Sequence, residues 1–214
     1  MPEWQYKMWS DDDNEALFKS VFPQYLNEYL QMPMIARTDV ARCLYLYVHG
    51  GVYFDTDFRF FKPLDDEFRS NICVLGIETP EFNDQDMNMG EQAEYKIGNA
   101  FIGSVPGFEL WTRFLEDTFK RFKEGERRVL YLAGPHALSV FLSANKDLEK
   151  QVTIVPGEMF YPDFRLGKIT GVRGPKTVGV HLCWGGWRNK PLVQQIRNRG
   201  RRLISAALCF QGII

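Results

Sequence analysis

Paired cysteines, a long apolar run and a surplus of charge of either sign are all missing from this sequence. Its four cysteines, Cys43, Cys73, Cys183 and Cys209, stand far apart with no Cys-x-x-Cys pair. That excludes a zinc ribbon and a disulfide framework, and leaves reduced core thiols, Cys43 on a buried helix face among them. No apolar stretch reaches the roughly 18 residues that a spanning helix needs, and no segment reads as a secretory signal. The expectation is a soluble, cytoplasmic protein in a reducing compartment. Lys and Arg number 26 against 27 Asp and Glu, a formal net charge of -1. No basic field therefore draws nucleic acid to the whole molecule. Internal repeats and low-complexity tracts are absent as well.

What is present is an ordinary globular composition in 214 residues, enough for one domain with a proper core. The opening "MPEWQYKMWSDDDNEALF" reads as a short strand, then an acidic turn with Asp12 or Asp13 capping a helix. That helix carries Leu17, Phe18 and Val21 inward and ends at Pro23. The clearest helix is "MIARTDVARCLYLYVHGG", where Ala36, Val40, Cys43, Leu44 and Tyr47 follow a 3.6-residue period and Gly50 and Gly51 stop it. "VYFDTDFRF" then switches to β-branched and aromatic residues, a strand signal. Further strands are read at "ICVLGIE", "NAFIGSV", "VTIVP" and "TVGVHLCW", with a polar loop at "DQDMNMGEQAE". Helices are read at "GFELWTRFLEDTFKRFKEG", with Leu110, Phe114 and Phe122 inward, and at "GPHALSVFLSANKD", with Pro135 in its first turn. Strands and helices alternate, so the class is α/β.

The chemistry concentrates in "GGVYFDTDFRFFKPL", residues 50–64, where two carboxylates interrupt an aromatic strand. On a strand, i and i+2 share a face, so Tyr53, Asp55 and Asp57 point one way. Carboxylates so placed are either solvated at a strand end or held by a cation, and hard ions such as Mg²⁺ or Mn²⁺ take oxygen ligands while keeping substrate phosphate in their shell. In the preceding helix Asp39 and Arg42, three apart, lie on one face. An acid and a base there can accept from sugar hydroxyls and offset phosphate charge.

The stretch "RTDVARCLYLYVHGGVYFDTD", Arg37 to Asp57, resembles the signature of the DXD-containing sugar-transferase family. That family includes fungal initiating mannosyltransferases, inositol-phosphoceramide mannosyltransferases and bacterial capsule enzymes. Large clostridial glucosylating toxins share the spacing. The resemblance implies a GT-A-type nucleotide-sugar-binding sheet flanked by helices and a retaining transferase. The donor would be a UDP-hexose or GDP-mannose, and the acceptor a glycan, glycolipid or protein. Asp55 would contact sugar, ribose and metal, Asp57 would ligate the metal, and Tyr53 would lie beside the nucleotide. Asp39 would hold donor-sugar hydroxyls, with Arg42 at the sugar or diphosphate. "GNAFIGSVPG" resembles a family segment that would turn Asn99 to donor or acceptor. "VHLCWGGWR" resembles the late segment in which His181 would be a third metal ligand or a phosphate contact, with Trp187 over the diphosphate. "LAGPHAL" resembles a segment near the acceptor side. His49 and His136 are expected to be structural or exposed.

Relatives begin with a strand reading roughly I-P-K-I-I-H-x-I-W, and Met1 falls just after its place, so that first strand is expected to be missing. The catalytic domain is therefore expected over residues 1–187. Beyond it, 188–214 carries six basic residues and no acid before "LISAALCFQGII". That segment suits a terminal helix docked on the core, or peripheral contact with an anionic membrane. Two other readings stand beside the transferase: a degenerate transferase kept as a binding module, and a haloacid-dehalogenase-type phosphatase, whose motif expects Gly-Thr where Phe58 and Arg59 follow here.

Overall fold

The computed structural model describes residues 4–64, 66–78, 93–94, 96–162 and 174–182, with the backbone alone at 66 and 67. The chain enters through helix α1, Asp11–Val21. Its cap is Ser10 rather than Asp12 or Asp13: the Ser10 hydroxyl accepts from the Asp13 amide at 3.1 Å while Asp13 accepts from the Ser10 amide at 3.0 Å. The reciprocal box satisfies two amides that would otherwise be orphaned, which a single Asp cap would not do. No strand precedes it among residues 4–9. After a 3₁₀ turn at Pro23–Tyr25 come α2, Leu26–Gln31, and α3, Met34–His49.

Helix α3 buries Ala36, Val40, Cys43, Leu44 and Leu46, and with them the charged pair Asp39 and Arg42. It ends where Gly50 adopts φ 63° and donates to the Leu46 carbonyl. A Cβ at Gly50 would stand 2.6 Å from the Pro106 ring and 3.0 Å from the Ser104 carbonyl. Gly50→Ala is accordingly expected to cost about 2 kcal/mol or more, read as a lowered urea midpoint. An unchanged midpoint would mean that this junction is not as tight as described.

Beyond Gly50 the predicted strand is broken in two. Strand β1 is Gly51–Phe54 and β2 is Phe58–Phe60, with Phe58 N–H donating to the Asp55 carbonyl across the turn between them. Then follow α4, Asp66–Arg69; β3, Cys73–Ile77; β4, Ile97–Ser104; and α5, Glu109–Lys123. Helices α6, Val129–Leu132, α7, Pro135–Ala144, and α8, Lys146–Glu149, lead to β5, Val152–Val155, and β6, Gly179–His181.

The main sheet runs β1-β4-β3-β5, antiparallel except for the parallel β3/β5 pair. One face packs on α3, α5 and α7 through Leu44, Leu75, Ile102, Trp111, Phe114 and Leu138. Trp111 is pinned by its indole N–H donating to Ser104 Oγ at 2.8 Å. The other face is an aromatic layer of Phe58, Phe101, Phe160 and Tyr161. A mixed sheet between such layers is an α/β arrangement. Among the described residues no helix is long and apolar enough to cross a membrane.

Two irregularities place the site. Pairing of β4 with β3 jumps from Leu75↔Ile102 to Gly76↔Gly98, leaving Asn99, Ala100 and Phe101 without β3 partners. Bulges of this kind re-aim groups beside active sites. Secondly, β2 leaves the main sheet and pairs with β6, Phe58 opposite His181. Both irregularities lie at the end of β1 where Asp55 stands.

Candidate active site

The site starts from α3, whose last buried charged residues face the bulge on β4. Arg42 Nη2 lies 2.7 Å from Asp39 Oδ1, and Asn99 Nδ2 donates to that same oxygen at 3.0 Å. Arg42 Nη1 donates to the Asn99 carbonyl and lies 3.5 Å from Asp55 Oδ1. The guanidinium also sits over the Tyr53 ring, 4.5 Å from its centroid. One planar fork thus ties helix, bulge and strand end together, a task suited to Arg and not to a point charge. The bulge is what makes this possible, because it frees the Asn99 carbonyl from sheet pairing.

Electrostatics follow from burial. Burial pushes the Asp39 carboxyl up to about 7, against the pull of Arg42 and Asn99. Its negative charge at neutral pH therefore depends on the cation 2.7 Å away. Burial works against the Arg42 charge too, but the Asp39 and Asp55 carboxylates offset it. Burial likewise raises the Tyr53 phenol despite Arg42, so it stays a proton donor to Asp55 Oδ1, at 2.7 Å.

Asp57 reaches the site by a different route from the one expected. It lies in the turn after β1, not on a continuing strand, so alternation does not orient it. What orients it is β6: Leu182 N–H donates to the Asp57 carbonyl at 2.9 Å, and His181 Nε2 lies 3.1 Å from Asp57 Oδ1. The same nitrogen is 3.6 Å from Asp55 Oδ2. One ligand atom each from Asp55, Asp57 and His181 lie within 4.8 Å of one another. Two carboxylates and one imidazole form a donor set that fits Mn²⁺ or Mg²⁺ and leaves positions for phosphate oxygens. Arg42 is already shared between Asp39 and Asp55, so a cation here would not duplicate it.

The structure thus brings together Asp39, Arg42, Tyr53, Asp55, Asp57, Asn99 and His181. Trp187, the polar loop over 79–92 and the segment 188–214 lie outside the described residues. Of the other histidines, His49 is exposed and tilts against Trp9, while His136 is buried beside Tyr131. Cys43 and Cys73 are buried free thiols, raised by burial. Sequence reading passed over Tyr161, which stands edge-on to the His181 ring, with centroids 6.3 Å apart. A signal existed in Gly76 and Gly98, whose missing side chains make room for it, but only the folded sheet shows what fills the space.

Residues 1–74 match a family described as "Glycosyltransferase sugar-binding region containing DXD motif". The site just described falls within the matched residues except for Asn99 and His181, which β4 and β6 bring to it from downstream. Over 148 residues the chain is 34% identical to inositol phosphoceramide mannosyltransferase 3 of Schizosaccharomyces pombe, covering 69% of this chain and 38% of that protein. The chain thus spans well under half the length of this relative. A solved structure, the PaToxG glycosyltransferase, overlaps 64% of this chain and 44% of its own at 19% identity and a TM-score of 0.36. That likeness is too slight to carry weight.

Proposed function

We propose that the protein transfers a hexosyl unit from a nucleotide-sugar donor to a glycan or lipid-linked acceptor, using a divalent cation. The observation that carries this is the meeting of Asp55, Asp57 and His181 within 4.8 Å, next to the buried Asp39–Arg42 pair. A cation bound there supplies charge neutralisation for the departing diphosphate. Arg42 aims positive charge from a fixed seat toward the same region, which costs no reorganisation as the leaving group departs. Asp39, buried and bound to Arg42 and Asn99, fixes where that guanidinium points. Tyr53 holds the Asp55 carboxylate in one orientation through its 2.7 Å bond.

For stereochemistry the reading is retention by same-face attack. The bond from the anomeric carbon to the phosphate oxygen breaks, a bond to the acceptor oxygen forms on that face, and the acceptor proton passes to the leaving phosphate. Asp39 is unsuited to act as a covalent nucleophile, because Arg42 and Asn99 occupy one of its oxygens and burial confines the other. The fungal relative is named a mannosyltransferase, so GDP-mannose is the first donor to try, with UDP-glucose and UDP-galactose beside it.

The experiment is release of nucleoside diphosphate from each donor with Mn²⁺ or EDTA, followed by NMR of the sugar product. Turnover of one donor, lost in EDTA, with the anomeric configuration kept, is expected. Inversion would overturn same-face attack. Full turnover in EDTA would overturn the cation. Donor binding without turnover would favour the binding-module reading.

A further inference from the structure

We propose that Tyr161 is a positioning residue that holds the His181 imidazole toward Asp55 and Asp57, an inference that rests on reading those three residues as a cation site. His181 ends a strand of three residues, Gly179–His181, whose sheet partner is the equally short β2. Backbone pairing of that length fixes little about a ring at its end. The Tyr161 ring meets the imidazole edge-on, at 6.3 Å between centroids and 83° between planes. Such a T-shaped contact favours one ring orientation over others.

Tyr161 itself is held on every side that the structure describes. It is 1% exposed, and its backbone N–H donates to the Gly157 carbonyl at 2.7 Å. Its hydroxyl accepts from the Phe101 amide, 3.2 Å away, on the bulge of β4. Two neighbouring strands give up side chains to seat it. A Cβ on Gly98 would stand 2.4 Å from its Cζ, and one on Gly76 2.8 Å from its Cε2. Both glycines lie at the register jump, so the irregularity that presents Asn99 to Arg42 also builds the seat of the ring beside His181. Burial holds the phenol well above its ordinary value, and nearby Glu78 and Asp55 push the same way, so it stays neutral. A neutral, immobile ring can orient an imidazole without competing for the cation. Groups that fix a metal-binding imidazole change affinity by about 10- to 100-fold when removed.

The test is Mn²⁺ titration by calorimetry of the wild type, Tyr161→Leu, His181→Ala and the double variant, with imidazole ¹⁵N NMR of the cation-free proteins. Tyr161→Leu is expected to weaken Mn²⁺ binding about tenfold, and to change nothing further once His181 is Ala. In the NMR spectrum the single His181 ring environment should split or broaden in Tyr161→Leu. Unaltered Mn²⁺ affinity in Tyr161→Leu, or an equal loss with and without His181, would overturn the inference. His181→Ala at wild-type affinity would show that the cation-site reading itself is at fault. In that case the ¹⁵N spectrum alone decides whether Tyr161 positions the ring, and an unchanged spectrum rejects it. Should Tyr161→Leu fail to fold, Tyr161→Met removes the ring, leaves a longer side chain to fill its place, and carries the same expectations.

Discussion

Asp57→Ala is expected to abolish metal-dependent turnover, by at least about a thousandfold, while leaving the melting temperature within a few degrees of wild type. The reason lies in where Asp57 sits. Its carbonyl, not its side chain, makes the bond to the Leu182 amide that fixes the turn, and an Ala keeps that carbonyl. What the substitution removes is the oxygen 3.1 Å from His181 Nε2, one of the three atoms proposed to hold the cation. Asp55 and His181 alone would leave a cation with too few protein ligands to be held at working concentrations. The check is turnover across a Mn²⁺ series beside a thermal melt. A variant that recovers at high Mn²⁺ still fits, as weakened affinity. One with wild-type turnover in limiting Mn²⁺ would remove Asp57 from the site.

Arg42→Ala should fail in two ways at once, and Arg42→Lys should separate them. With Ala, Asp39 stays buried without its cation and must take up a proton, its carboxyl already standing at about 7 from burial. Removing one partner of a buried pair costs roughly 3–5 kcal/mol, so a marked drop in unfolding free energy is expected. Lys restores a charge and can approach Asp39, so stability should partly return. It cannot reach Asp39 Oδ1, the Asn99 carbonyl and Asp55 Oδ1 together while covering the Tyr53 ring, as the guanidinium does. Turnover should therefore stay depressed by about a hundredfold or more in Arg42→Lys. Denaturant unfolding and donor turnover on both variants make the comparison. Full turnover in Arg42→Lys would mean that the fork geometry is irrelevant and that only its charge counts.

How far the residues alone disclose this arrangement differs from element to element. Helix α3 is readable because one 3.6-residue period and one glycine stop coincide, and Asp39 and Arg42 follow from its i,i+3 spacing. The Asp-x-Asp pair is readable as chemistry but not as geometry. The aromatic run Val52–Phe60 looks like one strand, and only long-range pairing of Phe58 with His181 breaks it. Side-chain alternation then gives the right neighbours for Asp57 by the wrong route. Asn99 was placed by likeness alone, since a bulge opposite Leu75 and Gly76 leaves no local mark on "GNAFIGSV". Tyr161 was missed altogether. Its importance comes from glycines on two other strands, a relation between residues more than sixty positions apart. At the N-terminus three adjacent aspartates drew the cap away from Ser10, whose hydroxyl and partner Asp13 close the box.

The most direct single test is calorimetric titration of the wild-type protein with GDP-mannose, UDP-glucose and UDP-galactose, each with and without Mn²⁺. Saturable binding of one donor in Mn²⁺, and none in its absence, is the predicted result. Equal binding with and without the ion, or no binding of any donor, would contradict a site in which Asp55, Asp57 and His181 hold a cation for a nucleotide sugar.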